Sequence, residues 1–181
     1  MVHLIMGGAA SGKSVYAERL ANSLPGPKLY LATLRPFDEE CRQKIQKHQT
    51  RRAKDGWQTQ EVFGSMQKVW VPQGATVLLE DLSNLTANLL FGPNPETARD
   101  ALLKSIRHLA EEAKTLVLVG NDLFCDGKVY PPETMEYLQL LAQGQSFAAN
   151  LADTVTEVVC GIPLAVKGPL PFAGTGWEEQ A

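Results

Sequence analysis

Residues 2–14, Val-His-Leu-Ile-Met-Gly-Gly-Ala-Ala-Ser-Gly-Lys-Ser, constrain the fold of this chain more than any other stretch. An apolar run of strand length leads into a loop of small residues, and Lys13-Ser14 opens a segment with helical periodicity. Gly7, Gly12, Lys13 and Ser14 satisfy the spacing G-x-x-x-x-G-K-[ST] of a phosphate-binding loop. The spacing has a physical reason. Small residues at Gly7, Gly8, Ala9, Ala10, Ser11 and Gly12 let backbone N–H groups close around phosphate oxygens, with the positive end of a helix behind them. Lys13 can reach the β- and γ-phosphates, and the Ser14 hydroxyl can ligate Mg²⁺. The loop therefore predicts binding of a nucleoside triphosphate.

The remaining pattern is that of an α/β chain. A helix carrying Ala17, Leu20, Ala21 and Leu24 on one face ends before Pro25-Gly26-Pro27, and residues 28–32 read as a second strand with Thr33 at its end. Residues 38–54 form a helical stretch charged around most of its circumference. Residues 60–63 suggest a short third strand, and residues 76–80 a stronger one ending in Glu80-Asp81. A carboxylate in that position suits the second nucleotide motif, where it orients Mg²⁺ or its waters. Helices are expected over 84–90, 96–113 and 133–152. The apolar run 115–119 suits a parallel strand buried on both faces, and residues 155–159 and 162–166 form a last pair of strands around Gly161. The order predicts a P-loop NTPase-like, mostly parallel sheet flanked by helices. A single domain is expected over residues 1–168, with a loose Gly- and Pro-rich tail over 169–181.

Composition narrows the class. The 181 residues are 44% hydrophobic and 20% charged with net charge −3, which fits one globular domain and argues against nonspecific nucleic-acid binding. No apolar run reaches membrane-spanning length and no leader precedes the first strand, so a cytoplasmic enzyme is expected. Cys41, Cys125 and Cys160 are odd in number and widely spaced, and are read as buried apolar residues rather than as a disulfide or zinc framework. His3 and His108 are read as structural, and Trp57, Trp70 and Trp177 as packing residues before stacking platforms. His48 differs because Lys47, Arg51 and Arg52 crowd it. Nearby cations favour the neutral, nucleophilic imidazole. The same cations can receive a phosphate, or can simply decorate a solvated helix, so the residues alone leave the role of His48 open.

Several blocks together resemble the bifunctional adenosylcobinamide kinase/adenosylcobinamide-phosphate guanylyltransferases of cobalamin biosynthesis. The resemblance runs over roughly residues 1–166. The loop is close to G-G-A-x-S-G-K-S, and Tyr30-Leu31-Ala32-Thr33 matches Y-[IL]-A-T. Residues 44–52 resemble R-I-x-x-H-[RK]-x-x-R, and Trp57 with Glu61 resembles W-x-x-x-E. Leu78-Leu79-Glu80 with residues 86–90 follows a [DE]-C-x-T-x-x-x-T-N-L-L segment. Leu118-Val119-Gly120-Asn121-Asp122 resembles V-x-N-E, and Ala152-Asp153 with Gly161-Ile162-Pro163 resembles A-D…G-[IL]-P. Asp81 stands in place of a cysteine and Asp122 in place of a glutamate, and residues 133–150 lack the family's arginine-rich pattern.

The resemblance implies that His48 attacks the α-phosphate of GTP and carries GMP, with Lys13 as the second catalytic residue. It places Thr33, Arg51, Arg52, Glu61 and Glu80 among the nucleotide contacts, and Ser14 and Glu80 at Mg²⁺. It further implies adenosylcobinamide, ATP and GTP as substrates and a homo-oligomer such as a trimer, while the net charge speaks against a nucleic-acid partner. Two alternatives accompany it: a divergent homologue with one activity, and a nucleotide-dependent switch or assembly factor.

Overall fold

The five residues Thr115-Leu-Val-Leu-Val119 are all buried, and they sit at the middle of the sheet because both their faces are apolar. A computed structural model describes residues 1–36, 42, 46, 50, 52–53, 55–124 and 126–171. Seven strands form one sheet: β1 (Val2–Met6), β2 (Lys28–Ala32), β3 (Trp57–Glu61), β4 (Thr76–Glu80), β5 (Thr115–Val119), β6 (Thr154–Val159) and β7 (Ile162–Lys167), in the order β3-β2-β4-β5-β1-β6-β7. Every pairing is parallel except β6 with β7, which is antiparallel. The expected P-loop-type sheet with a C-terminal strand pair is therefore what forms.

Alternation along the strands divides the core into two layers. Val77 and Leu79 of β4 and Leu116 and Leu118 of β5 face one side, against α2 (Leu82–Leu90), α3 (Ala98–Glu112) and α4 (Pro132–Leu151). Leu78, Val117 and Val119 face the other, against Tyr16, Ala17, Leu20 and Ala21 of α1 (Lys13–Ser23). Gly144 lets α4 close on α3: a Cβ there would lie 2.6 Å from Leu102 Cδ2. The helical pattern expected over 96–113 divides into a 3₁₀ turn at Pro95–Thr97 and then α3. α2 begins before the expected residue 84 because Asp81 caps it, accepting from the Asn84 N–H at 2.8 Å.

The third strand lies earlier than expected. It begins at Trp57, whose buried indole meets Tyr30 edge-on at 6.4 Å and donates to Asn22 Oδ1 at 2.9 Å. One anchored aromatic sets the register of an otherwise polar edge strand, Gln-Thr-Gln-Glu, whose sequence has no apolar alternation to betray it. The cysteine expectation is also corrected in part. Cys160 is exposed, at φ 49° in the two-residue turn Cys160-Gly161 between β6 and β7. Cys41 and Cys125, Trp177 and most of the charged stretch 38–54 lie outside the described residues, as does 172–181 of the expected tail. Among the described residues, no helix is long and apolar enough to cross a membrane.

His3 is buried beside Thr154, with 2.7 Å between its Nδ1 and Thr154 Oγ1. Burial holds this imidazole below the ordinary value of 6.5, opposed by the Asp153 carboxylate and assisted by the N-terminal ammonium. Below pH 6.5 the unfolded chain takes up a proton that the folded chain resists, so this contribution to stability is present above that pH and is lost as pH falls. His3→Asn should flatten the stability–pH curve below 6.5 in urea titrations. Leu102 is fully buried between α3 and α4, and Leu102→Ala should cost about 2–5 kcal/mol in the same measurement.

Candidate functional site

Because β1 to β6 run parallel, their carboxyl ends share one edge of the sheet, where α/β proteins gather ligands. The loop after β1 occupies the middle of that edge. Its close turns need residues that accept left-handed backbone: Gly12 at φ 94° and Ala10 at φ 56°. Gly7 is required for space, since a Cβ there would stand 2.6 Å from the Val158 carbonyl oxygen and 2.5 Å from Ser11 Oγ. The β6–β7 turn braces the loop from the other side, the Gly161 N–H donating to the Ser11 carbonyl at 2.8 Å.

The cradle fits a phosphate. Lys13 is buried at the start of α1 and its Nζ folds back to donate to the Gly8 carbonyl at 3.0 Å. The Ser11 hydroxyl is buried without a hydrogen-bond partner among the described residues, which is costly unless a ligand oxygen meets it. Ser14 is half-buried in the first turn of α1. No group of three or more His, Cys, Asp or Glu among the described residues could hold a metal.

At the end of β4 the two acids have different surroundings. Glu80 Oε2 accepts from the Tyr30 hydroxyl at 2.8 Å. Burial and the Glu80 carboxylate push the Tyr30 phenol far up, so it stays a donor. Asp81 is tied to Asn84 N and, through Oδ2, to Asn121 Nδ2 at 2.9 Å. Burial pushes the Asp81 carboxyl up, while these bonds and the charge of Lys13 pull it down. Asn121 also donates to Ser83 Oγ at 2.8 Å, and Gln145 donates to the Asn121 carbonyl at 2.9 Å. The ends of β4 and β5 are thereby joined to α2 and α4.

The expected nucleotide contacts divide three ways. Thr33 is fully buried and its hydroxyl is committed internally: it accepts from Asp81 N at 2.8 Å and donates to the Glu80 carbonyl at 2.9 Å. Glu61 and Glu80 both pair in register with Ala32, so they lie in one row on the same face, about 10 Å apart by two strand spacings. Glu61 is exposed at the sheet edge. Arg52 is buried, its Cζ 3.5 Å above the Tyr30 ring centroid and its Nη1 3.8 Å from Glu18 Oε1. Its Nε has no hydrogen-bond partner among the described residues. His48 and Arg51 lie outside the described residues.

The family model described as cobinamide kinase / cobinamide phosphate guanyltransferase matches residues 3–166. The chain belongs to this family of transferases. Among curated relatives it is similar to the bifunctional adenosylcobalamin biosynthesis protein CobP of Pseudomonas aeruginosa, with 30% identity over 93% of this chain and 98% of that protein. It is likewise similar to the CobU proteins of Escherichia coli (34%) and Salmonella typhimurium (28%), each over 92% of this chain and 100% of the relative. Among solved structures, the KaiC-like protein PH0186 of Pyrococcus horikoshii superimposes with TM-score 0.52 at 13% identity. That match covers 86% of this chain and 69% of the other, and it bears on the fold alone.

Sequence reasoning named most of the residues that shape the site without seeing the part they play, and it passed over Gln145. Tyr30 links Glu80 to Arg52, Asn121 and Gln145 bind Asp81 into a network, and Gly161 supports the loop. Only Asp81 carried a local signal, as an Asx residue three before the N–H that it caps. The others act through pairings between distant parts of the chain. Gly7→Ala should lower triphosphate affinity roughly tenfold or more, about 1.4 kcal/mol, because the new methyl group meets the β6 backbone as well as the Ser11 side chain, and the backbone cannot turn aside. Titration with a fluorescent GTP analogue would measure this, and unchanged affinity would contradict the close-packed cradle.

Proposed function

We propose that this chain transfers the γ-phosphoryl group of a nucleoside triphosphate to the aminopropanol hydroxyl of adenosylcobinamide. It then passes GMP from GTP, through a covalent bond to His48, onto the phosphate so formed. The products are adenosylcobinamide-GDP and pyrophosphate. The observation that carries this reading is the phosphate cradle, with an orphaned Ser11 hydroxyl and an inward Lys13, in a chain matched to the family from residue 3 to residue 166.

Lys13 and the loop amides hold the phosphates and offset charge that builds on the transferring group, which is where most catalysis of phosphoryl transfer arises. Ser14 and Glu80 are the residues proposed to hold Mg²⁺, which when bound neutralises charge on the phosphates. Glu80 keeps one oxygen on Tyr30, so its carboxylate is oriented before any ligand arrives. Glu61 and Glu80, on one face of the sheet, supply acceptors of the kind that guanine's N1–H and amino group require. His48 serves as the nucleophile because a neutral imidazole splits one difficult nucleotidyl transfer into two easier displacements. Arg51 is proposed as a contact to the nucleotide phosphates. Arg52, stacked on the Tyr30 ring, is proposed as a second such contact.

Incubation with α-labelled GTP and Mg²⁺ should leave acid-labile, alkali-stable label on the protein, absent from His48→Ala. Label persisting in that variant would place the nucleophile elsewhere. Lys13→Ala should slow phosphorylation and label transfer alike, each by about 100-fold or more. Wild-type rates for Lys13→Ala would remove the phosphate cradle from the mechanism.

A further inference from the structure

The loop after β5 and the first turns of α4 border an open cavity of about 470 Å³, a size usual for a small-ligand pocket. Asp122, one of its lining residues, donates its backbone N–H to the Gly7 carbonyl at 3.1 Å, and its Oδ1 accepts from Phe124 N at 3.2 Å. Leu123, Leu138 and Tyr137 supply apolar surface, while Asp126 and Tyr130, hydrogen-bonded to each other, form a polar outer wall. A second hollow of about 250 Å³ shares Leu123 and Leu138 and adds Phe124 and Met135. Leu123, Phe124 and Met135 are all exposed, as is Val129 in the same loop.

This lining selects for a particular chemistry. Two carboxylates and no cation among the described residues of the inner cavity disfavour an anionic ligand there. Adjacent apolar surface favours a bulky molecule with an apolar face, and the carboxylates and phenol suit amide N–H groups at its rim. We propose that the cavity receives the aminopropanol arm and adjoining ring edge of the corrinoid, with the arm's hydroxyl at Asp122. The macrocycle, too large to be enclosed, lies over Leu123, Phe124 and Met135. This assignment rests on the kinase reaction proposed above. As the arm's oxygen bonds to the γ-phosphorus, its proton passes to the Asp122 carboxylate. The bond from that phosphorus to the β–γ bridging oxygen breaks, and a nucleoside diphosphate leaves.

The test uses the full chain, with adenosylcobinamide binding followed by equilibrium dialysis and visible absorbance. Leu138→Arg and Thr134→Trp each obstruct the cavity from a half-buried position on α4. Each should weaken adenosylcobinamide binding roughly tenfold or more while GTP affinity stays within about twofold. Asp122→Asn should lower kcat for phosphorylation about 100-fold with little change in the adenosylcobinamide KM, and Asp122→Glu should restore part of it. Wild-type corrinoid affinity in both cavity variants would overturn the assignment of the pocket, and an unchanged kcat in Asp122→Asn would overturn the role of that carboxylate. A wild-type chain that binds no adenosylcobinamide would instead overturn the functional reading itself, a result that needs no variant.

Discussion

Parallel alignment of β1 through β6 is the constraint from which the rest follows. Strands that run the same way must be joined by crossovers, and their carboxyl ends must all emerge at one edge. Here that edge collects the phosphate loop after β1, Thr33 after β2, Glu61 on β3, the acid pair after β4, Asn121-Asp122 after β5 and the turn after β6. Residues more than a hundred positions apart become neighbours: Gly161 supports Ser11, and Asp122 is bonded to Gly7. The chemistry is assembled by topology before any side chain acts.

A second level of organisation lies in how that edge is held still. Thr33 clamps the β4–α2 junction, Asp81 caps α2, and Asn121 and Gln145 join Asp81 to β5 and α4. Burial of a carboxylate has a cost, since it pushes the acidity of Asp81 down, and the hydrogen bonds from Asn84 and Asn121 oppose that shift. The network is well satisfied in hydrogen bonds, and such a network stiffens the structure that it joins. Glu80 is oriented by Tyr30 in the same way, and Arg52 stacks on the same ring. The polar residues around the loop therefore form a scaffold as much as a set of ligand contacts.

Much of this was legible in the sequence, for identifiable reasons. The runs at 2–6, 28–32, 76–80 and 115–119 are apolar on both faces, and the strands fall at those positions. The phosphate loop is local in sequence and local in space, so its spacing sufficed. β3 was misplaced because an exposed edge strand carries little alternation and one buried indole sets its register. The bonds that Thr33 makes with the backbone of Glu80 and Asp81 were not legible, because no local pattern encodes a pairing across more than forty residues. The cavity beside Asp122 was equally hidden, since it arises where a polar loop meets the start of α4.

The turn between β6 and β7 has a practical corollary. Cys160 presents its sulfur to solvent next to the glycine whose amide grips Ser11. A dye attached to that native thiol would sit beside the loop proposed to seat a triphosphate. Filling and emptying of the seat could then be followed as a change in emission, without adding a foreign amino acid.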